Sequence, residues 1–406
     1  MGHIPQGRGL WDKLLPAAHA NWRLAQIKQD HVGDYLRGLT LTNVSTMGEW
    51  FGGLSAAASD ARVALQFCCS PPRVLHMGPS LPAAVSARAS PDYVANARGG
   101  VRPRFQWAVG VETAFHFLGL GLLPDKDTTL TNASALQRGG DGVPAANAPS
   151  FYKFSETNAA KHLLHASLSW GPVSFGDAAG AGNATLLRAA CRVDGTVLRT
   201  SRPATAVEAE FMSVMWGSGA GGPSAREDAT LPNGALGEVY SSVTWVGALT
   251  WTIVVASQLA APFPLQLHDV GLGAAAEGLL VVWWDAAAFA PRAGPVAPAF
   301  VGGAPVVITA GAAYEDPPAV LLLAPRVESG GAYWVLLGEV GKAVPVSQQR
   351  LAMVVGDGHG SLLLEVLGAA GEAVVFAACQ TAGPSGGCGE VRLFPCSPGT
   401  CKLYWK

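Results

Sequence analysis

The strongest constraint on the fold of this chain is a change in apolar periodicity near Pro203. Before that point short apolar runs alternate with helically spaced ones. Leu24-Ala25-Gln26-Ile27 and Val63-Ala64-Leu65-Gln66-Phe67-Cys68-Cys69 read as buried strands. Between them Thr46-Met47-Gly48-Glu49 has the form of a capping box, followed at helical spacing by Trp50, Phe51, Leu54, Ala58 and Ala61. Further helices are expected over 107–118, 161–169 and 185–191, with a short strand at Thr128-Thr129-Leu130. The segment 22–191 thus reads as about five strands with helices between them, a pattern that favours parallel strands. After Pro203 helical spacing gives way to β-type runs between Gly and Pro: 240–245, 249–255, 279–284, 306–308, 320–323, 351–355 and 373–376. Such runs indicate an antiparallel β-sandwich. The expected domains are 1–205 and 206–406, with 217–223, 286–305 and 381–387 as long Gly/Ala/Pro-rich loops.

In a parallel barrel the residue at the carboxyl end of each strand faces the active-site mouth. Asp30, Asp92, Asp127 and Asp177 all follow strands or strand-like segments and would gather on that rim. Any one acid after a strand serves equally well as a helix cap, so the argument rests on the set. Two carboxylates flanking a glycosidic bond are the minimum needed to cleave it, and Asp30 with Asp92 are the pair that the spacing singles out. Lys28, two residues before Asp30, would share its side of the strand and keep it ionised. Arg73 and His76, after the second strand, would line the same pocket or anchor a loop.

These residues resemble a known family. Arg88-Ala89-Ser90-Pro91-Asp92-Tyr93 is similar to an Arg-Ala-Ser-Asp-Asp-Phe-Tyr element of raffinose synthases and alkaline α-galactosidases. Trp170-Gly171-Pro172-Val173-Ser174-Phe175-Gly176-Asp177, then Asn183, Leu186, Leu187, Asp194-Gly195-Thr196-Val197-Leu198-Arg199 and Arg202-Pro203, resemble the same family's later stretch in order and spacing. Uncharacterised glycosidase-like proteins that share Pro124 to Asp127 resemble the segment more closely still, over about residues 22–205. The resemblance implies a (β/α)8 TIM barrel and retaining chemistry on an α-linked, α-galactosyl-type sugar. Asp30 is implied as nucleophile and Asp92 as acid/base. Arg88 is implied as a hydrogen-bonding partner of sugar or carboxylate, with Asp127 and Asp177 on the substrate rim. Pro91 stands where the family has the first aspartate of a pair, and Lys28-Gln29-Asp30-His31 stands where the related group has Glu-Gln-Asp-Trp. Asp30 would fall on the fourth barrel strand. Only about twenty-five residues precede it, whereas three βα units need about a hundred, so the chain is expected to hold strands four to eight alone. The alternative is a non-catalytic carbohydrate-binding or structural remnant of such an enzyme.

A net charge of −2 and the lack of a basic stripe with interleaved aromatics give no case for nucleic acid. The most apolar window, 243–259, is broken by Thr, Trp, Ser and Gln in the manner of strands, so no transmembrane helix is expected. The expected partner is an oligosaccharide or glycoside, with no metal or organic cofactor. Serine-hydrolase, zincin, Walker and dinucleotide-binding signatures are missing. His162 and His165, at i, i+3, read as packing or solvent-facing residues, and the tryptophans at 245, 251, 283 and 284 as core. Cys379, Cys388, Cys396 and Cys401 lack a CxxC pair and a nearby histidine, which favours a disulfide-stapled tail over zinc. Disulfides would favour a secreted or endomembrane location.

Overall fold

Amphipathic helices and short parallel strands build the first half of the computed structural model, which describes residues 8–30, 44–68, 70, 72–89, 114–131, 158–177, 179–209, 238–259, 261–271, 279–294, 296–311, 316–383 and 385–404. Helix α1 (Trp11–Trp22) buries Trp11, Leu15 and Ala18, one stripe at i, i+4 and i+7, and continues through Pro16. Strand β1 (Gln26–Gln29) follows, then α2 (Val44–Asp60), β2 (Ala64–Phe67), the single-turn α3 (Pro72–Leu75), β3 (Ala84–Arg88), α4 (Ala114–Gly119) and β4 (Leu123–Asp125). The four strands pair in parallel and in sequence order. Trp50, Phe51, Leu54, Ala57 and Ala58 of α2 pack with Leu15 of α1 and with Leu65, Phe67 and Ala87 of the sheet. Phe51 meets Phe67 edge-on at 5.7 Å. One face of the sheet is therefore an apolar seat for helices.

A second parallel pair joins β5 (Thr128–Thr129) to β6 (Ser174–Phe175), with α5 (Ala159–Leu168) between them and α6 (Ala184–Ala190) after. Asn183 caps α6, its side-chain oxygen accepting from the Thr185 and Leu186 N–H groups at 3.0 and 3.4 Å. Among the described residues the parallel strands thus form two separate sheets, β1–β4 and β5–β6.

The second half is antiparallel. Its central sheet runs in the order β12 (Ala290–Pro291), β11 (Leu280–Asp285), β15 (Ala319–Ala324), β9 (Leu249–Ser257), β8 (Glu238–Val246) and β7 (Arg202–Ala206), with β13 (Ala297–Pro298) also on β11. Every residue of Ala319-Val320-Leu321-Leu322-Leu323-Ala324 is buried because both faces of this sheet are covered. Val320, Leu322 and Ala324 face one core with Trp251, Trp284, Trp334 and Phe376. Ala319, Leu321 and Leu323 face another with Phe263, Leu265 and Ile308, from the small sheet of β10 (Phe263–Leu265) and β14 (Val306–Ile308). Across the first core lie two further antiparallel sheets. One pairs β16 (Arg326–Ser329), β17 (Ala332–Glu339), β20 (Val374–Thr381) and β21 (Cys388–Cys396). The other pairs β18 (Leu351–Gly356), β19 (Leu362–Val366) and β22 (Gly399–Leu403). The β16–β17 hairpin turns on Gly330 and Gly331, both at positive φ, as a two-residue turn with this pairing requires.

Leu163, Leu164 and Leu168 of α5 and Leu186, Ala189 and Ala190 of α6 belong to the same core as the sandwich. The expected boundary at residue 205 falls inside β7. The expected loop at 286–305 contains β12 and β13, short strands that Ala and Pro disguise in the sequence. Residues 381–387 connect β20 to β21, and 217–223 lie outside the described residues. Trp251 and Trp284 are core, Trp283 is half-buried, and Trp245 is 44% exposed, contrary to its expected burial. Cys379 pairs with Cys388 and Cys396 with Cys401. Among the described residues no helix is long and apolar enough to cross a membrane.

One buried ionic network braces this half. Arg350, fully buried, donates to Glu339 at 2.7 Å and to Glu372 at 2.6 Å. Glu372 also accepts from the Val193 N–H at 3.2 Å, and Lys342 donates to the Arg188 and Cys191 carbonyls at the end of α6. The network thereby ties the end of α6 and the turn after it to the sandwich.

Candidate functional site

Side chains alternate across a strand, and the register β1–β2–β3–β4 aligns Lys28 with Gln66, Gln66 with Ser86, and Arg88 with Asp125. Because Ile27, Leu65, Phe67 and Ala87 are turned toward the helices, Gln26, Lys28, Gln66, Ser86, Arg88 and Asp125 occupy the other face. That face is polar. Gln26 donates to Gln66 at 3.2 Å, and Gln66 donates in turn to Asp125 in a short contact that spans β3. The Ser86 hydroxyl is buried and has no hydrogen-bond partner.

The charged groups collect at the carboxyl ends of these strands. Lys28 lies 3.5 Å from Asp30, both side chains being about 40% exposed. Arg88, with its side chain only 4% exposed, pairs with Asp127 at 2.9 Å. The Asp127 N–H donates to Asp125 at 2.9 Å, and Asp127 adopts a left-handed φ of 79°, a conformation that non-glycine residues rarely hold. Burial opposes the charge on Lys28, yet Cys68, Asp30 and Asp127 outweigh it and the repulsion from Arg88, so the ammonium stays above the usual lysine range. Asp125 moves the other way. Its burial, together with the negative charge of Asp127, pushes the carboxyl up despite the Asp127 N–H and the cations Arg88 and Lys28.

Of the residues expected in the site, Lys28, Asp30, Arg88 and Asp127 fall within electrostatic reach of one another. Asp92 lies outside the described residues. Arg73 is the second residue of α3, and its side chain lies outside them too. The Asp177 carboxylate accepts from the Thr131 N–H at 2.9 Å and the Thr131 hydroxyl at 2.6 Å, and Thr131 accepts from the Asn183 N–H at 2.7 Å. Asp177 thus joins the end of β5 to the cap of α6. Asp125, Gln66 and Gln26 were missed from sequence. The available signal was the two-residue step from Asp125 to Asp127, which repeats the step from Lys28 to Asp30.

A separate polar cluster lies beneath α5. Lys161 donates to Ser257 at 2.5 Å, and His165 bonds the Tyr240 hydroxyl at 2.8 Å. His162 and His165 are buried, not solvent-facing, and desolvation with nearby Lys126 and Lys161 holds both well below the ordinary histidine range. No protein-family model and no curated protein matches this chain.

Proposed function

We propose that this chain performs retaining chemistry on an α-linked, galactosyl-type sugar, hydrolysing it or transferring it to an acceptor. The supporting observation is the gathering of Lys28, Asp30, Arg88, Asp125 and Asp127 on the polar face and carboxyl ends of parallel strands whose other face seats helices. In this reading Asp30 attacks the anomeric carbon as the glycosidic C–O bond breaks, and Asp92 gives its proton to the departing oxygen. Asp92 then takes a proton from water or an acceptor hydroxyl, whose oxygen displaces Asp30. Lys28 keeps Asp30 ionised and therefore nucleophilic. The Arg88–Asp127 pair presents a fixed donor fork and an acceptor to sugar hydroxyls. Asp125 holds the Asp127 N–H and Gln66, which sets the geometry of that rim.

The test is turnover of aryl α-galactosides by the purified chain and by Asp30→Asn and Asp92→Asn variants. Asp92→Asn is expected to lower kcat/KM by about 10²–10⁴-fold, and Asp30→Asn to abolish turnover. Activity that neither change alters removes the catalytic assignment. Glycan binding without turnover replaces it with the binding-remnant reading.

A further inference from the structure

The geometry points to a second, non-catalytic saccharide-binding cleft on the central antiparallel sheet. The cleft, of about 440 Å³, lies where β7 and β8 meet the 3-10 turn His268–Val270, and its polar lining comprises Arg202, Thr205, Glu208, Ser241, His268 and Asp269. A volume of this order suits a small ligand. The proposal does not depend on chemistry at Asp30.

Two buried polar atoms in this lining have no hydrogen-bond partner. The Arg202 Nε–H is one. The other is Oδ1 of Asp269, a residue only 6% exposed. The second oxygen of Asp269 accepts from the Gln266 N–H at 2.7 Å, which fixes the carboxylate in place. His268 approaches Oδ1 only to 3.7 Å, too far for a hydrogen bond. Buried groups left without partners are uncommon, and two in one cleft call for a ligand that donates to one and accepts from the other.

Charge selects the class. A phosphate or carboxylate would satisfy Arg202 but meet the carboxylates of Glu208 and Asp269. An ammonium ion would satisfy the acids but meet the guanidinium. A neutral hydroxyl both donates and accepts, so adjacent hydroxyls on one sugar ring satisfy Arg202 and Asp269 together. Ser241 and Trp245 share one face of β8, and Trp245, about 13 Å further along by strand rise, is the exposed tryptophan of that face. Its ring offers an apolar platform to a more distant sugar unit of the same oligosaccharide.

The test is titration of the full chain, isotope-labelled at backbone amides, with methyl α-D-galactoside, methyl α-D-glucoside and methyl α-D-mannoside, with acetate and tetramethylammonium as charged controls. At least one glycoside is expected to shift the amide signals of Thr205, Val270 and Gly271. Arg202→Met, which keeps the aliphatic stem, is expected to weaken that binding at least tenfold. Asp269→Asn, whose amide oxygen can still accept from the Gln266 N–H, is expected to weaken it as well. Asp30→Asn is expected to leave it unchanged, so loss of turnover and loss of this binding are separately readable. No shift at those amides with any glycoside, shifts with acetate or tetramethylammonium alone, or equal affinity in a folded Arg202→Met variant would each overturn the proposal.

Discussion

At Asp125 desolvation raises the cost of the carboxylate, while Gln66 and the Asp127 N–H bind to it as acceptor. The folded chain therefore holds this proton to higher pH than the unfolded chain, whose ordinary value is 3.8. The resulting stabilisation is complete below that value and is lost as pH rises through the folded value. Asp125→Asn keeps the shape and removes the titration, so its melting temperature is expected to gain on the parent's as pH rises from about 4 to 7. His162 and His165 give the opposite slope. Their folded values lie well below the ordinary 6.5, so the neutral core is fully stable above that pH and loses stability as pH falls through and below it. A thermal melt series should show this acid loss, and His162→Leu should blunt it. The place of Lys28 and Asp30 at the carboxyl end of β1 was legible from the short apolar run before them. Asp125 was not, since its environment comes from three neighbouring strands that are distant in sequence.

Among the elements, the long β-runs and the parallel strands β1, β2 and β5 announced themselves, whereas β3 and β4 did not. The runs 249–255 and 320–323 correspond to β9 and β15, whose continuous apolar character follows from burial on both faces. By contrast β3 and β4 show no continuous apolar run, and the pairing of β3 to β2 and of β4 to β3 is what defines them. Alternation of helix and strand still indicated parallel pairing in the first half, because crossover connections admit little else. The Trp170-Gly171 step illustrates a contact that sequence motifs record without explaining. A Cβ on Gly171 would collide with the Pro124 carbonyl at β4, beside the site. Gly171→Ala should therefore destabilise the chain by about 1–3 kcal/mol in denaturant titration, the range for overpacking a close contact. Arg350 is the corresponding test in the sandwich. Arg350→Leu strands Glu339 and Glu372 in the core, and equilibrium unfolding should show a loss of about 3–5 kcal/mol.

For the whole molecule, composition and texture located the change of architecture near 205, but the apolar clusters divide the chain elsewhere. Helices α5 and α6 share the sandwich core, whereas α1, α2 and β1–β3 form a cluster of their own. Periodicity reports which face of an element is apolar and not which partner covers it, so this division was beyond the sequence. The paired cysteines add covalent closure at the far end: non-reducing peptide mapping should recover Cys379 with Cys388 and Cys396 with Cys401, with Cys68 and Cys191 as thiols among the described residues. Separate oily interiors also imply more than one heat-absorption peak in scanning calorimetry. A tight inhibitor resting on Lys28 and Asp30 would move one peak upward and leave its neighbour where it was, so the calorimeter would report which interior carries the chemistry before any product is detected.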